Sequence, residues 1–117
     1  MKRPTIAQII EILKLSPLPE EGGLFRQTYK SNIIIPKEYL PTKYNENRHI
    51  ATHIFYLLTD EEDSFSALHR LKGDEIYHFY LGDPVEMLLL YPNGKSEVIF
   101  LGSDITNNEK IQKIVDH

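Results

Sequence analysis

The stretch "FSALHRLKGDEIYHFYLGD", residues 65–83, places His69, Asp74, Glu75 and His78 among aromatic and aliphatic neighbours. In an extended chain alternate side chains share a face. On "ALHRL" that rule groups Ala67, His69 and Leu71; on "EIYHFYL" it groups Glu75, Tyr77, Phe79 and Leu81, and sends Ile76, His78 and Tyr80 to the other side. "KGD" reads as a turn, and with register kept across it His69 and Glu75 face one another within side-chain reach. An imidazole beside a carboxylate suits a divalent cation. Without a metal the same pair suits acid–base work, the carboxylate orienting the imidazole and holding its charge. His78 joins them only if a β-bulge redirects it. Plainer roles compete with each of these. His69 could be a buried, hydrogen-bonded histidine, Glu75 an ion-pair partner of Arg26 or Arg70, and Tyr56, Tyr77 and Phe79 core packing.

The elements that must position these groups fit in one domain, since the chain has 117 residues. Hydrophobic residues at 41% and charged residues at 26% are those of a folded globular chain. There is no cysteine, so disulfides, thiolate metal sites and cysteine nucleophiles are all excluded, and any metal must use His, Asp, Glu or water. A formal net charge of −4 with dispersed Lys and Arg argues against nucleic acid, which needs a cationic face. No apolar run approaches the roughly 20 residues of a membrane span. "MKRPTIAQIIEILKLSP" begins basic and turns apolar, but Gln8, Glu11 and Lys14 interrupt it and no small-residue cleavage site follows. It reads as an amphipathic helix, and the expected location is the cytoplasm.

Thr5 and Gln8 fit a capping box, and Ile6, Ile9, Ile10 and Leu13 form one stripe, which predicts a helix over 5–15. "LFRQTYKSNIII", "HIATHIFYLLT", "FSALHRL", "EIYHFYL", "VEMLLLY" and "SEVIFLG" read as strands, with Asn93-Gly94 the strongest hairpin signal. "PKEYLPTKYNENR" is a long polar connection that could overhang a cavity. In "EGG", residues 21–23, two adjacent glycines imply positive φ or a close approach. Arg26 and Gln27 are alternating candidates on the first strand, only one of which can point inward. The fold class is all-β, an antiparallel sandwich or barrel over about 24–117 behind one N-terminal helix.

Here the sequence resembles the cupin superfamily. Its first motif has the form G-x5-H-x-H-x3,4-E-x6-G, and His69, Glu75 and Gly82 fall on the first histidine, the glutamate and the closing glycine. Leu71 stands at the second histidine position and Asp63 at the leading glycine. A nearer resemblance is to the cupin-5 type family, small proteins of largely unassigned activity whose members look like "EGGYFRETYRS", "AIYFLL" and "WHRVRSDEIWHFYAGDPLEL". This chain has "EGGLFRQTYKS" at 21–31, "HIFYLL" at 53–58 and "LHRLKGDEIYHFYLGDPVEM" at 68–87, and "NGKSEVIFLGSDI" falls where the family has a hairpin and an L-G-x-D/N segment.

The resemblance implies an antiparallel double-stranded β-helix, the cupin jelly roll. The family continues past "QKIVDH" with a segment like V-P-x-G-x-W-Q and further strands carrying the second motif. The expectation is therefore a jelly roll lacking its C-terminal strands, whose open edge invites pairing with another chain as a homodimer. Three functions follow as expectations. The first is a small-molecule-binding cupin, an enzyme on a sugar or small polar metabolite. In it His69 is the acid–base group, Glu75 tunes it and Tyr77 is a second proton carrier, as in the metal-free cupin-fold sugar-nucleotide epimerases; Glu21, Arg26, Tyr56 and Phe79 contact the ligand. The second is a divalent-metal enzyme with Mn, Fe, Ni or Zn on His69, Glu75 and His78. The third is a non-catalytic dimeric binding protein. Fold does not choose among them.

Overall fold

The structure, a computed structural model, describes residues 2–62, 64–70 and 72–116. The chain divides into two compact units, Met1–Arg70 and Leu71–His117.

The first unit opens with helix α1 (Ile6–Leu13). Thr5 Oγ1 accepts from the Gln8 N–H at 3.2 Å and Gln8 Oε1 accepts from the Thr5 N–H at 2.9 Å, so the capping box read from the sequence is complete. The helix ends earlier than expected because Lys14 turns left-handed at φ 55°, its N–H and that of Leu15 both bonding to Ile10 O. Leu15 is buried, and the chain goes directly into β1 (Ser16–Pro17). β1 pairs with β2 (Leu24–Lys30), which pairs in turn with β5 (Thr52–Leu57), all antiparallel. The β2–β5 register shifts between Gln27 and Tyr29. Between them β3 (Ile34–Ile35) pairs with β4 (Arg48–His49), closing the polar connection, within which the Lys37 N–H donates to Asn47 Oδ1 at 3.0 Å. Thr5→Ala removes one half of the cap and is expected to cost about 1 kcal/mol of stability. Urea unfolding followed by circular dichroism measures it, and a change indistinguishable from zero would show that α1 is held by packing alone.

The second unit is two β-ribbons. β6 (Glu75–His78) pairs with β9 (Gln112–Val115), and β7 (Val85–Leu90) with β8 (Ser96–Leu101). The β7–β8 turn runs through Asn93-Gly94 as expected: the Gly94 N–H bonds to Tyr91 O at 3.0 Å, with Gly94 at φ +84°, a value glycine adopts without penalty. Leu89, Ile99 and Leu101 form the buried centre, and Tyr77, Phe79, Val85, Met87 and Val115 pack against it. Residues 110 and 111 tie the ribbons together. The Lys110 N–H donates to Phe100 O at 2.8 Å, and Ile111 O accepts from the Phe79 N–H at 2.9 Å. In the preceding turn the Asp104 carboxylate accepts from Asn107 Nδ2 and Thr106 Oγ1, which holds its pKa below the ordinary aspartate value. On the hairpin, the Tyr91 hydroxyl donates to Glu97 Oε2 at 2.7 Å, raising the phenol pKa.

Two expectations are revised. The strand read over "FSALHRL" does not form among the described residues: 64–70 run without regular pairing. β6 finds its antiparallel partner instead in β9, a segment not read as a strand. Overall the protein is mostly strands with one helix, and among the described residues no sheet closes into a barrel.

Candidate functional site

In the first unit, Glu21 and Tyr56 come together at the "EGG" loop, and His69 is linked to it only through Ala67. Gly22 and Gly23 adopt φ +88° and +74°. The Tyr56 hydroxyl donates to Gly22 O at 2.7 Å, and its ring lies where a side chain at Gly23 would stand. The Glu21 carbonyl accepts from the Ala67 N–H at 2.6 Å, and Ala67 O in turn meets His69 Nδ1 at 2.7 Å. Glu21 and Tyr56 are half-buried, whereas His69 is exposed and its ring held by its own backbone. Of the strand pair Arg26 and Gln27, Arg26 is half-buried and Gln27 exposed. Arg26 Nε donates to Leu13 O at 2.5 Å, and its guanidinium lies 5.5 Å from the centre of the Phe55 ring. Arg26 therefore ties the end of α1 to the sheet, a structural use of a predicted ligand contact.

In the second unit, β6 alternates as the sequence indicated. Glu75 and Tyr77 are half-buried on one face, Ile76 and His78 exposed on the other. Phe79 follows on the inner side and packs with Tyr77 against the buried centre. β9 completes that inner face: Val115 lies opposite Glu75 and Lys113 opposite Tyr77, and both are half-buried. Glu75, Tyr77 and Lys113 thus share one face, with Tyr77 packed on the apolar centre. Lys113 was not anticipated, because four residues flanked by charge carry too little alternation to mark a strand. On the outer face the His78 ring stacks toward Tyr80 at 6.4 Å, and Gln112 Nε2 lies 3.4 Å from His78 Nδ1.

The metal expectation does not fit these residues. β6 directs Glu75 and His78 to opposite sides, so one ion cannot take both. Among the described residues no group of three or more His, Asp or Glu gathers as a cation would require. Leu71 and Asp63, where the motif is broken, lie outside the described residues, as does His117. A cavity of about 390 Å³ at the start of α1, lined by Lys2, Arg3, Pro4, Thr5, Gln8 and Ile12, includes no predicted site residue. No helix among the described residues is long and apolar enough to cross a membrane.

Several solved structures have a similar fold. A hypothetical protein from Leishmania major aligns with a TM-score of 0.80 at 26% identity, over 97% of this chain and 65% of that one. A protein from Shewanella oneidensis aligns with a TM-score of 0.77 at 27% identity, again over 97% of this chain and 65% of the other. The chain thus spans a little under two thirds of the length of both. No curated protein matches it. A family model described as Cupin superfamily (DUF985) matches residues 7–117. With nearly the whole sequence matched, the chain belongs to the cupin superfamily, in its DUF985 family.

Proposed function

We propose that this cupin binds a small polar metabolite on the inner face of the β6–β9 ribbon and acts on it by acid–base chemistry through Glu75, with Tyr77 as the second proton carrier. The jelly roll of the family is the architecture this reading assumes. The observation that carries it is the state of Glu75: a half-buried carboxylate beside an apolar centre, which no hydrogen bond or ion pair engages among the described residues. A carboxylate in that position can accept a hydrogen bond from a ligand hydroxyl. His69 enters the reading by its place in the motif alone. The aromatic faces of Tyr77 and Phe79 suit a sugar or other flat ring.

The test is a thermal-shift screen of small polar metabolites, nucleotide sugars included, on wild type and Glu75→Gln, which keeps the shape of the side chain. A compound that stabilises wild type and not the variant is expected. Where such a compound turns over, the variant should lose on the order of 10²–10⁴ in rate. Equal stabilisation of both proteins by every hit would remove Glu75 from the site.

A second reading, a dimeric binding protein without catalysis, is favoured by one observation. The outer face of the β7–β8 ribbon exposes Leu88, Leu90, Val98 and Phe100 together. Apolar patches of that kind mark association surfaces. Sedimentation equilibrium decides it, and a monomer at all concentrations removes it.

A further inference from the structure

We propose that Lys113 is a specificity-determining residue that holds an anionic group of the ligand, so that the substrate class is a small hydroxylated anion, a sugar acid or sugar phosphate. The inference rests on the reading that the inner face of the β6–β9 ribbon contacts a small molecule.

The register carries the argument. Tyr77 pairs directly with Lys113, and Glu75 with Val115, so Glu75 and Lys113 are diagonal neighbours on one face. Such neighbours stand about 7–8 Å apart, close enough for long side chains to meet. Both are half-buried, yet among the described residues neither has an ion-pair partner. Opposite charges at diagonal positions, with no ion pair between them, offer a ligand two complementary contacts on one face. An oxyanion at the Lys113 ammonium and a hydroxyl donated to the Glu75 carboxylate would make them, each as a charge-assisted hydrogen bond. The Tyr77 ring, opposite Lys113, supplies the floor for the carbon skeleton. The protein as a whole carries a formal net charge of −4, so its overall field does not recruit anions, and retention on this face needs a local cation. The competing use of Lys113 is to run its methylene stem along the apolar face and present the ammonium to water.

Backbone amide chemical shifts of residues 75–79 and 111–115, followed by NMR during titration with millimolar gluconate, glucose 6-phosphate or uncharged glucose, test the assignment on the full chain. Saturable shifts with gluconate or glucose 6-phosphate, and none with glucose, are expected. Lys113→Gln and Lys113→Met, the second preserving the apolar stem, should each weaken the anion by on the order of tenfold or more. Lys113→Arg should retain it, and added salt should weaken it in wild type only. A response to gluconate but not the phosphate, or the reverse, names the anion source. Glucose binding as well as gluconate, unchanged in both Lys113 variants, overturns the inference and leaves the small-molecule reading standing. Amides unmoved by all three probes also overturn it, and the Glu75 screen then judges that reading separately.

Discussion

Gly23→Ala is expected to lower the unfolding free energy by about 3 kcal/mol, the sum of two separable costs. Gly23 holds φ +74°, which an L side chain occupies at a cost of roughly 1–2 kcal/mol. The new methyl would also stand 2.7 Å from Tyr56 Cε1 and from the Tyr56 hydroxyl oxygen, well inside contact distance. That ring cannot simply swing away, because its hydroxyl is bonded to Gly22 O at 2.7 Å and moving it forfeits a bond worth about 1 kcal/mol. Urea unfolding followed by tyrosine fluorescence measures the total. The partition is measured by repeating Gly23→Ala in a Tyr56→Leu background, where the ring is gone and only the backbone cost of roughly 1–2 kcal/mol should remain. A cost equally large with and without the ring would mean that Tyr56 is not what makes position 23 a glycine. The outcome matters for the site as well, since the same loop carries the Glu21 carbonyl that anchors the segment leading to His69.

The legible parts of this molecule are those whose local signals agree with their packing. Thr5 and Gln8 announced a cap that both side chains complete, and Asn93-Gly94 announced a turn that Gly94 closes with positive φ. The two glycines of "EGG" announced unusual backbone or a close approach, and Gly23 has both. Alternation along "EIYHFYL" put Glu75 and Tyr77 on the inner side and His78 on the outer, as observed. The failures have a common cause, which is that strand pairing is non-local. "FSALHRL" has the composition of a strand, but a strand needs a partner, and 64–70 run without one. β9 has weak composition, but β6 pairs with it along its whole length, and the Leu101–Lys110 bridge fixes the chain just ahead of it. Lys113 was illegible for that reason: a lysine in an unassigned tail has no face until its partner strand is known. Between Arg26 and Gln27 the sequence left the inward position open, and Arg26 is the half-buried one. Its bond to Leu13 O was not legible because it depends on where α1 stops, at the left-handed turn of Lys14.

Leu89→Ala is expected to cost roughly 3 kcal/mol, and Leu88→Ala, one residue away, under about 1 kcal/mol. Both are leucines on β7, and only the register separates them. Leu89 is 7% exposed and shares the buried centre of its unit with Ile99 and Leu101, whereas Leu88, 53% exposed, sits across from Val98 on the outer face. With so few buried residues among those described, the unit has little to collapse into the space the lost isopropyl group leaves, which places the cost toward the middle of the range for such truncations. The effect also bears on the site, because Tyr77, Phe79 and Val115 pack against this same centre, and a cavity beneath them loosens the face that carries Glu75 and Lys113. Parallel urea titrations of the two variants measure the difference, and NMR line widths at residues 75–79 report the loosening. Equal costs at 88 and 89 would place both leucines in the same environment and overturn the inward assignment of β7. With it would go the argument that Glu75 and Lys113 lie over an apolar floor. A large cost at 89 with unchanged line widths at 75–79 would keep the core and detach the ribbon from it.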